Sequence, residues 1–259
     1  MSEQRIKVGV VGAGGRMGRT VCAAVVADPA LELVAAIDPH AAGDEVLGVT
    51  ISADLQALVD AGAQVAVDFT VAPAARVTLP WLAEHGIHAV VGTTGFTDDD
   101  VAAFRAAFTS SNCLIAANFA ISAVLMMRFA ELAAPWFDTA EIIELHHDQK
   151  IDAPSGTAVI TAQRMAAARD AGWAPDPTTH EVYRGARGGE APGGLRVHAV
   201  RMRGMVAHQE VILGALGQTL TIRQDSYDRS SYMPGVVLAC KHVADHPGLT
   251  LGLDTFLRV

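Results

Sequence analysis

Lysine, tyrosine and cysteine each occur only three times in 259 residues, and aromatic residues make up 5% of the chain. The cysteines, Cys22, Cys113 and Cys240, stand far apart with no Cys-x-x-Cys spacing. Flanked by apolar residues, they read as reduced core thiols, which argues against a disulfide framework and for a cytoplasmic setting. No apolar stretch approaches the roughly 20 residues of a membrane-spanning helix, and the apolar run near the start is too short for a signal peptide. Basic residues are outnumbered, 19 Lys and Arg against 28 Asp and Glu, for a formal charge of −9. Without a block of either sign, nothing recruits nucleic acid or an anionic membrane.

What the chain has is apolar pattern: 51% of its residues are hydrophobic, enough for a sizeable core in one or two domains. Strand-like runs at 6–12, 31–38, 64–70, 88–94 and 113–119 alternate with helical spacing from Met17 to about Ala27, through 74–86, and over 98–108. That alternation predicts an α/β fold with a Rossmann-type doubly wound parallel sheet. After Phe119 the character changes. A buried helix over 121–137, a strand over 140–147 and an Ala-rich helix over 156–171 precede a Gly-rich loop at 185–194. Three alternating segments then read as an antiparallel meander, and a last helix closes the chain. The expected organisation is a dinucleotide-binding domain of residues 1–119 plus about 230–259. An inserted α+β domain with a mixed or antiparallel sheet takes 120–229.

The stretch VGVVGAGGRMGRT sets Gly12, Gly14, Gly15 and Gly18 between a strand and a helix. Gly12 suits the tight turn, Gly14 or Gly15 admits a pyrophosphate, and Gly18 lets the helix lie on the strand. Asp38 follows twenty residues beyond Gly18, where a carboxylate can accept hydrogen bonds from an adenine ribose. A structural turn with a strand-ending aspartate is the plainer alternative. A carboxylate repels a 2′-phosphate, and Pro39 and His40 supply no arginine clamp, so NADH is favoured over NADPH, although Arg16 and Arg19 could reach a phosphate. GTTG (92–95) and AANF (116–119) fall at the ends of two further strands, where an open α/β sheet binds ligands. An ordinary strand-to-helix loop with Thr as helix cap is the lesser alternative for either.

One of the three lysines sits in ELHHDQKIDAPSGTA (144–158). His146 and Lys150 share a face whether the segment is helix or strand. The pair suits proton transfer and anion binding. Ser155-Gly156-Thr157 then opens a helix whose N-terminus can hold a carboxylate, with Ser155 or Thr157 as cap. The substrate is read as a small anion. Adjacent histidines project in different directions, so a metal site is not favoured.

GAGGRMG, DFT, GTTGF, AANFAI and ELHHDQKIDAPSGTA occur in the order and spacing of the bacterial dihydrodipicolinate reductases, which the chain resembles over nearly its whole length. The later half, with VAHQEVILG and GQTLTIRQDSYDRSSYMPG, is similar to actinobacterial members. The resemblance implies reduction of 4-hydroxy-tetrahydrodipicolinate on the diaminopimelate route to lysine. It implies His146 as proton donor or acceptor, Lys150 as second proton donor, and His147, Gly156 and Thr157 as ligands of the substrate carboxylates. Gly12, Ala13, Gly14, Gly15, Arg16, Met17, Asp38, Gly92, Thr93, Thr94, Ala116, Ala117, Asn118 and Phe119 are implied to hold the dinucleotide, and a homotetramer is implied through the sheets of the inserted domain. Many members carry arginine after the ribose-binding acid; Pro39 here leaves NADPH use open. On this reading the nicotinamide lies over 92–95 and 116–119, hydride reaches C4 of the substrate ring, and hinges lie near 119–121 and 229–235. A dehydrogenase of another small dicarboxylate, or a dinucleotide sensor without turnover, would share the first site but not the HHxxKxDAPSGT block.

Overall fold

The computed structural model describes residues 5–257. The chain forms two compact units, one reaching Phe119 and resuming at Arg229, the other spanning Ala120–Asp228. In the first unit, β1 (Ile6–Val11) leads to α1 (Arg16–Ala27), β2 (Leu31–Ile37), β3 (Glu45–Val46), β4 (Val49–Ser52) and α2 (Gln56–Asp60). β5 (Val65–Asp68), α3 (Ala72–Glu84), β6 (His88–Val91), α4 (Asp98–Ala107) and β7 (Cys113–Ile115) follow. The second unit holds α5 (Ile121–Ala133), β8 (Thr139–His146), α6 (Gly156–Ala167), β9 (Gly189–Glu190), β10 (Arg196–Arg201), β11 (Ala207–Ala215) and β12 (Gln218–Ser226). The chain then adds α7 (Met233–His242), β13 (Leu249–Leu251) and α8 (Asp254–Leu257) to the first unit.

The eight strands of the first unit run in the order β13-β7-β6-β5-β1-β2-β4-β3. All neighbours are parallel except the short β3–β4 hairpin, whose turn puts Leu47 and Gly48 at φ of 49° and 85°. β5 is buried along its whole length, which a strand covered on both faces must be. From β1 the chain turns first to β2 on one side and later to β5 on the other. The strand ends at Gly12 and Asp68 therefore lie where the winding reverses, the position at which such sheets open a ligand crevice. Strand-like character was expected over 113–119, but pairing stops at Ile115 and 116–119 is a loop. β13 pairs with β7 in parallel, and Asn112 clamps the returning segment: its Nδ2 donates to the Val243 and Ala244 carbonyls, each at 2.9 Å, and its Oδ1 accepts from Gly248 N–H at 3.1 Å.

The second sheet runs β12-β11-β8-β10-β9 and corrects the expected meander. β11 and β12 do form an antiparallel pair, but β10 joins β8, in parallel, and β8 separates it from β11. Alternation of polar and apolar residues identifies strands without naming their partners. The link from β8 to β10 contains α6, and such a crossover returns the chain parallel to its start. β8 also carries fully buried Ile142 and Glu144, which suits a strand with a neighbour on each edge. Two helices end earlier than expected. α5 stops at Ala133 and yields to a 3₁₀ turn at Ala134–Trp136, where Pro135 sits. α6 stops at Ala167, because Arg169 leaves the helix to stack 4.0 Å over Trp173 and donate to the Ala134 and Phe137 carbonyls.

Close packing in the first unit hinges on small residues over large ones. A Cβ at Gly9 would lie 2.1 Å from Leu58 Cδ2, so fully buried Leu58 occupies the space that Gly9 vacates on β1. Leu58→Ala should destabilise this unit by about 2–5 kcal/mol in urea unfolding; a loss under about 1 kcal/mol would contradict this packing.

Candidate active site

The glycine turn is built by steric necessity. Gly12 has φ of 81°, and its N–H and that of Ala13 donate to the Ile37 carbonyl at 2.7 and 3.0 Å. A Cβ at Gly18 would lie 2.0 Å from the Gly12 carbonyl oxygen, so α1 could not approach β1 with any side chain there. A Cβ at Gly14 would meet Ala41 Cβ at 2.5 Å and Asp38 Oδ2 at 2.8 Å. Asp38 is drawn into the turn: Oδ2 accepts from Gly14 N–H and Oδ1 from His40 N–H, both at 3.0 Å. Gly15 is the N-cap of α1 and offers no side chain to its first-turn N–H groups, and that turn carries no acid. A cradle without side chains, uncapped amides and an acid at the end of β2 fit a dinucleotide: the amides its pyrophosphate, Asp38 its ribose. Arg16 and Met17 open the helix, and Arg19 folds back on the Gly14 carbonyl at 3.2 Å.

Asp68 ends β5 beside this turn and was not singled out from sequence. Its Oδ1 accepts from Thr70 N–H (2.9 Å), Thr70 Oγ1 (2.7 Å) and Thr93 Oγ1 (2.8 Å). Burial pushes its carboxyl up, against those donors. Its backbone carbonyl accepts from Gly92 N–H at 2.9 Å. Thr93 is thus a buried structural link, while Thr94 is exposed. Phe69 fills the space over Gly92, where a Cβ would lie 2.1 Å from its ring, and meets Phe119 with ring centroids 5.7 Å apart. Ala116 and Phe119 are buried, Asn118 is half-buried and Ala117 exposed. The two expected cofactor loops are therefore joined through Asp68 and Phe69 of the DFT stretch.

In the second unit His146 is the last residue of β8. Strand periodicity puts Ala140, Ile142, Glu144 and His146 on one face, the face that is buried. His146 Nδ1 meets Glu144 Oε2 at 2.5 Å. Fully buried Glu144 also accepts from Ser155 N–H at 3.0 Å and from both terminal nitrogens of Arg201, at 2.7 and 2.8 Å. Burial alone would push the Glu144 carboxyl up; the hydrogen bonds from His146 and Arg201 reverse this and hold it at about 2. The segment after His146 is a turn, closed by Lys150 N–H on the His147 carbonyl at 3.2 Å. Lys150 Nζ donates to both carboxylate oxygens of Asp152, at 2.8 and 2.9 Å, and Arg201 donates to the Asp152 carbonyl at 2.6 Å. His146 and Lys150 are consequently the two ends of one polar chain through Glu144, Arg201 and Asp152. His147 is exposed on the turn, its Nδ1 accepting from Gln149 N–H at 3.3 Å.

Ser155, not Thr157, caps α6, its Oγ accepting from Ala158 N–H at 3.3 Å. Gly156 is exposed with open space where a Cβ would be, and the first turn holds no acid; Thr157 is half-buried beside it. Glu144 and Arg201, which tie this network together, are not among the residues expected from the sequence. The signal for Glu144 was present: an acid in phase with the apolar positions of a strand, two residues before a histidine. Arg201 carried no such signal, because only the β8–β10 register places it opposite His146. Among the described residues no group of three or more His, Cys, Asp or Glu is placed to hold a metal ion, and no helix is long and apolar enough to cross a membrane.

The first unit carries a turn that fits a dinucleotide, and the second holds a histidine and a lysine in one polar network. The class is that of NAD(P)H-dependent oxidoreductases. Residues 6–119 match the family of the dihydrodipicolinate reductase N-terminus and residues 122–257 that of its C-terminus. A 4-hydroxy-tetrahydrodipicolinate reductase of Corynebacterium efficiens is 53% identical, and that of Corynebacterium urealyticum 52%, each over 97% of this chain and 98% of the relative. A dipicolinate-bound dihydrodipicolinate reductase from Paenisporosarcina sp. TG-14 superposes with a TM-score of 0.89 at 36% identity, over 97% of this chain and 99% of that one. The chain belongs to the dihydrodipicolinate reductase family.

The Glu144 carboxyl sits lower in the folded chain than its ordinary 4.5, so it contributes stability that is complete above that value and lost as pH falls towards 2. Thermal unfolding followed between pH 5 and 2 should show a falling midpoint, and Glu144→Gln should flatten part of that fall. An identical pH dependence in both chains would contradict the ionised, clamped state of Glu144.

Proposed function

We propose that this chain reduces 4-hydroxy-tetrahydrodipicolinate to tetrahydrodipicolinate on the diaminopimelate route to lysine. The observation that carries the reading is the HHxxKxDAPSGT block set as one polar chain, from His146 through Glu144, Arg201 and Asp152 to Lys150, in a member of that family. When bound, the dinucleotide supplies the hydride. Gly12 to Met17 hold its phosphates, the glycines by letting it reach the backbone and Arg16 and Met17 by the N–H groups that open α1; Asp38 holds its ribose, and Gly92 to Thr94 with Ala116 to Phe119 its other end. The first turn of α6 at Gly156 and Thr157, which carries no acid, binds the two substrate carboxylates with His147 and Lys150. Reduction of a conjugated ring leaves a charge that a proton must quench; His146 and Lys150 are the donors, His146 giving its proton from Nε2. The role of small dicarboxylates as ligands is supported by the dipicolinate-bound relative. NADH is the preferred cofactor, on the ground that Asp38 precedes Pro39 and no arginine. A cytoplasmic homotetramer built on the sheets of the second unit is the working assembly.

His146→Ala and Lys150→Ala should each lower turnover by about 10²–10⁴-fold while the NADH dissociation constant stays within about twofold; unaltered turnover in steady-state assays would sink the assignment. Asp38→Ala should weaken NADH binding by about tenfold or more and leave NADPH less affected. Faster use of NADPH than NADH by the unaltered chain would remove the cofactor preference.

A further inference from the structure

We infer that Glu144 and Arg201 are the positioning pair of this active site: Glu144 fixes the His146 ring with Nδ1 carrying the proton that faces it, and Arg201 clamps Glu144 together with the turn that bears Lys150. The inference rests on the proposed role of His146, and it concerns two residues that lie outside both the glycine turn and the HHxxKxDAPSGT block.

The geometry makes each part necessary. Glu144 is fully buried and His146 mostly so, with 15% of its side chain exposed. A buried ionised carboxylate accepts and cannot donate, so the nitrogen facing it at 2.5 Å must carry hydrogen. Nε2 is then the nitrogen that exchanges protons. In the reaction the imidazolium gives its Nε2 proton to the substrate carbon and is left neutral with Nδ1–H still on Glu144; solvent returns one proton to Nε2 afterwards. Glu144 stays charged throughout and stabilises the imidazolium before the transfer. The same division of labour is seen wherever an acid orients a catalytic histidine.

Arg201 completes the device. It reaches Glu144 from β10 with both terminal nitrogens, the bidentate match that lysine cannot reproduce. One of those nitrogens also holds the Asp152 carbonyl, and the Asp152 carboxylate holds Lys150. One guanidinium thereby sets the spacing between the two proton donors. Charged and titratable groups around the ring are Glu144 on its own strand, Arg201 from β10, and His147, Lys150 and Asp152 on the turn. Its register neighbour on β11 is Ala207, which adds no charge.

The experiment is ¹⁵N-histidine NMR of the full chain, with the His146 signals identified by their loss in His146→Asn, read with steady-state kinetics of Glu144→Gln and Arg201→Lys. In the unaltered chain above pH 8 the neutral His146 ring should be protonated on Nδ1. In Glu144→Gln the amide can donate to Nδ1, so the ring should switch to the Nε2–H tautomer. Turnover should fall about 10²–10⁴-fold with NADH binding unchanged. Arg201→Lys should lose about tenfold or more in turnover and keep the Nδ1–H tautomer. An Nε2–H tautomer in the unaltered chain overturns the inference even if Glu144→Gln does not fold. A folded Glu144→Gln with full turnover, or with reduced turnover and an unmoved tautomer, overturns it as well, and full turnover in Arg201→Lys removes Arg201 from the pair. Failure of the proposed reaction itself appears separately, as an Nδ1–H tautomer in a chain that does not consume the substrate.

Discussion

An ionised carboxylate with no access to water survives only if donors replace its lost hydration. Glu144 collects hydrogen bonds from three separate segments: the end of its own strand at His146, the helix start at Ser155, and Arg201 on the neighbouring strand. Each of those segments carries part of the proposed chemistry. The strand delivers the histidine, the helix start the turn proposed to bind anions, and Arg201 the backbone beside Lys150. Satisfying one buried charge therefore assembles a site whose members are spread from residue 144 to residue 201.

The first unit solves a different problem by different means. Its turn brings strand, helix and loop backbone together without side chains, as the proposed contact with a bulky polyanion requires. Gly14 and Gly18 are required by contacts a Cβ would make with Asp38 and the Gly12 carbonyl, and Asp38 is pre-set by two backbone donors. Behind it Asp68 knits β5 to the loop at Thr93, and Phe69 spans Gly92 and Phe119. One unit is organised around a buried charge and the other around vacated volume.

Those two kinds of order differ in how far they show in a linear sequence. Gly12, Gly18 and Asp38 were readable because the turn, the helix and the second strand follow one another within a short stretch, and local sterics dictate the residues. β1, β2 and β5 were readable because buried parallel strands are continuous apolar runs. β3 and β4 were not, being two and four residues long, and β13 lies in a segment that gains its partner from residue 113 onward. The second sheet showed its strands but not its order. His146 and Lys150 were legible as an isolated pair. What connects them was not, since Arg201 acquires its meaning only from a pairing across more than fifty residues of chain.

The return of α7 and β13 to the first sheet has a consequence for how the molecule comes into being. The edge strand β7 lacks its outer neighbour until Leu249–Leu251 arrives, and the Asn112 side chain lacks three partners until Val243 to Gly248 are present. On a ribosome, residues 120–228 are all available before that happens. The segment interrupting the nucleotide-binding unit can thus complete its own sheet first, and the unit that begins the chain is the one whose closure awaits its last residues.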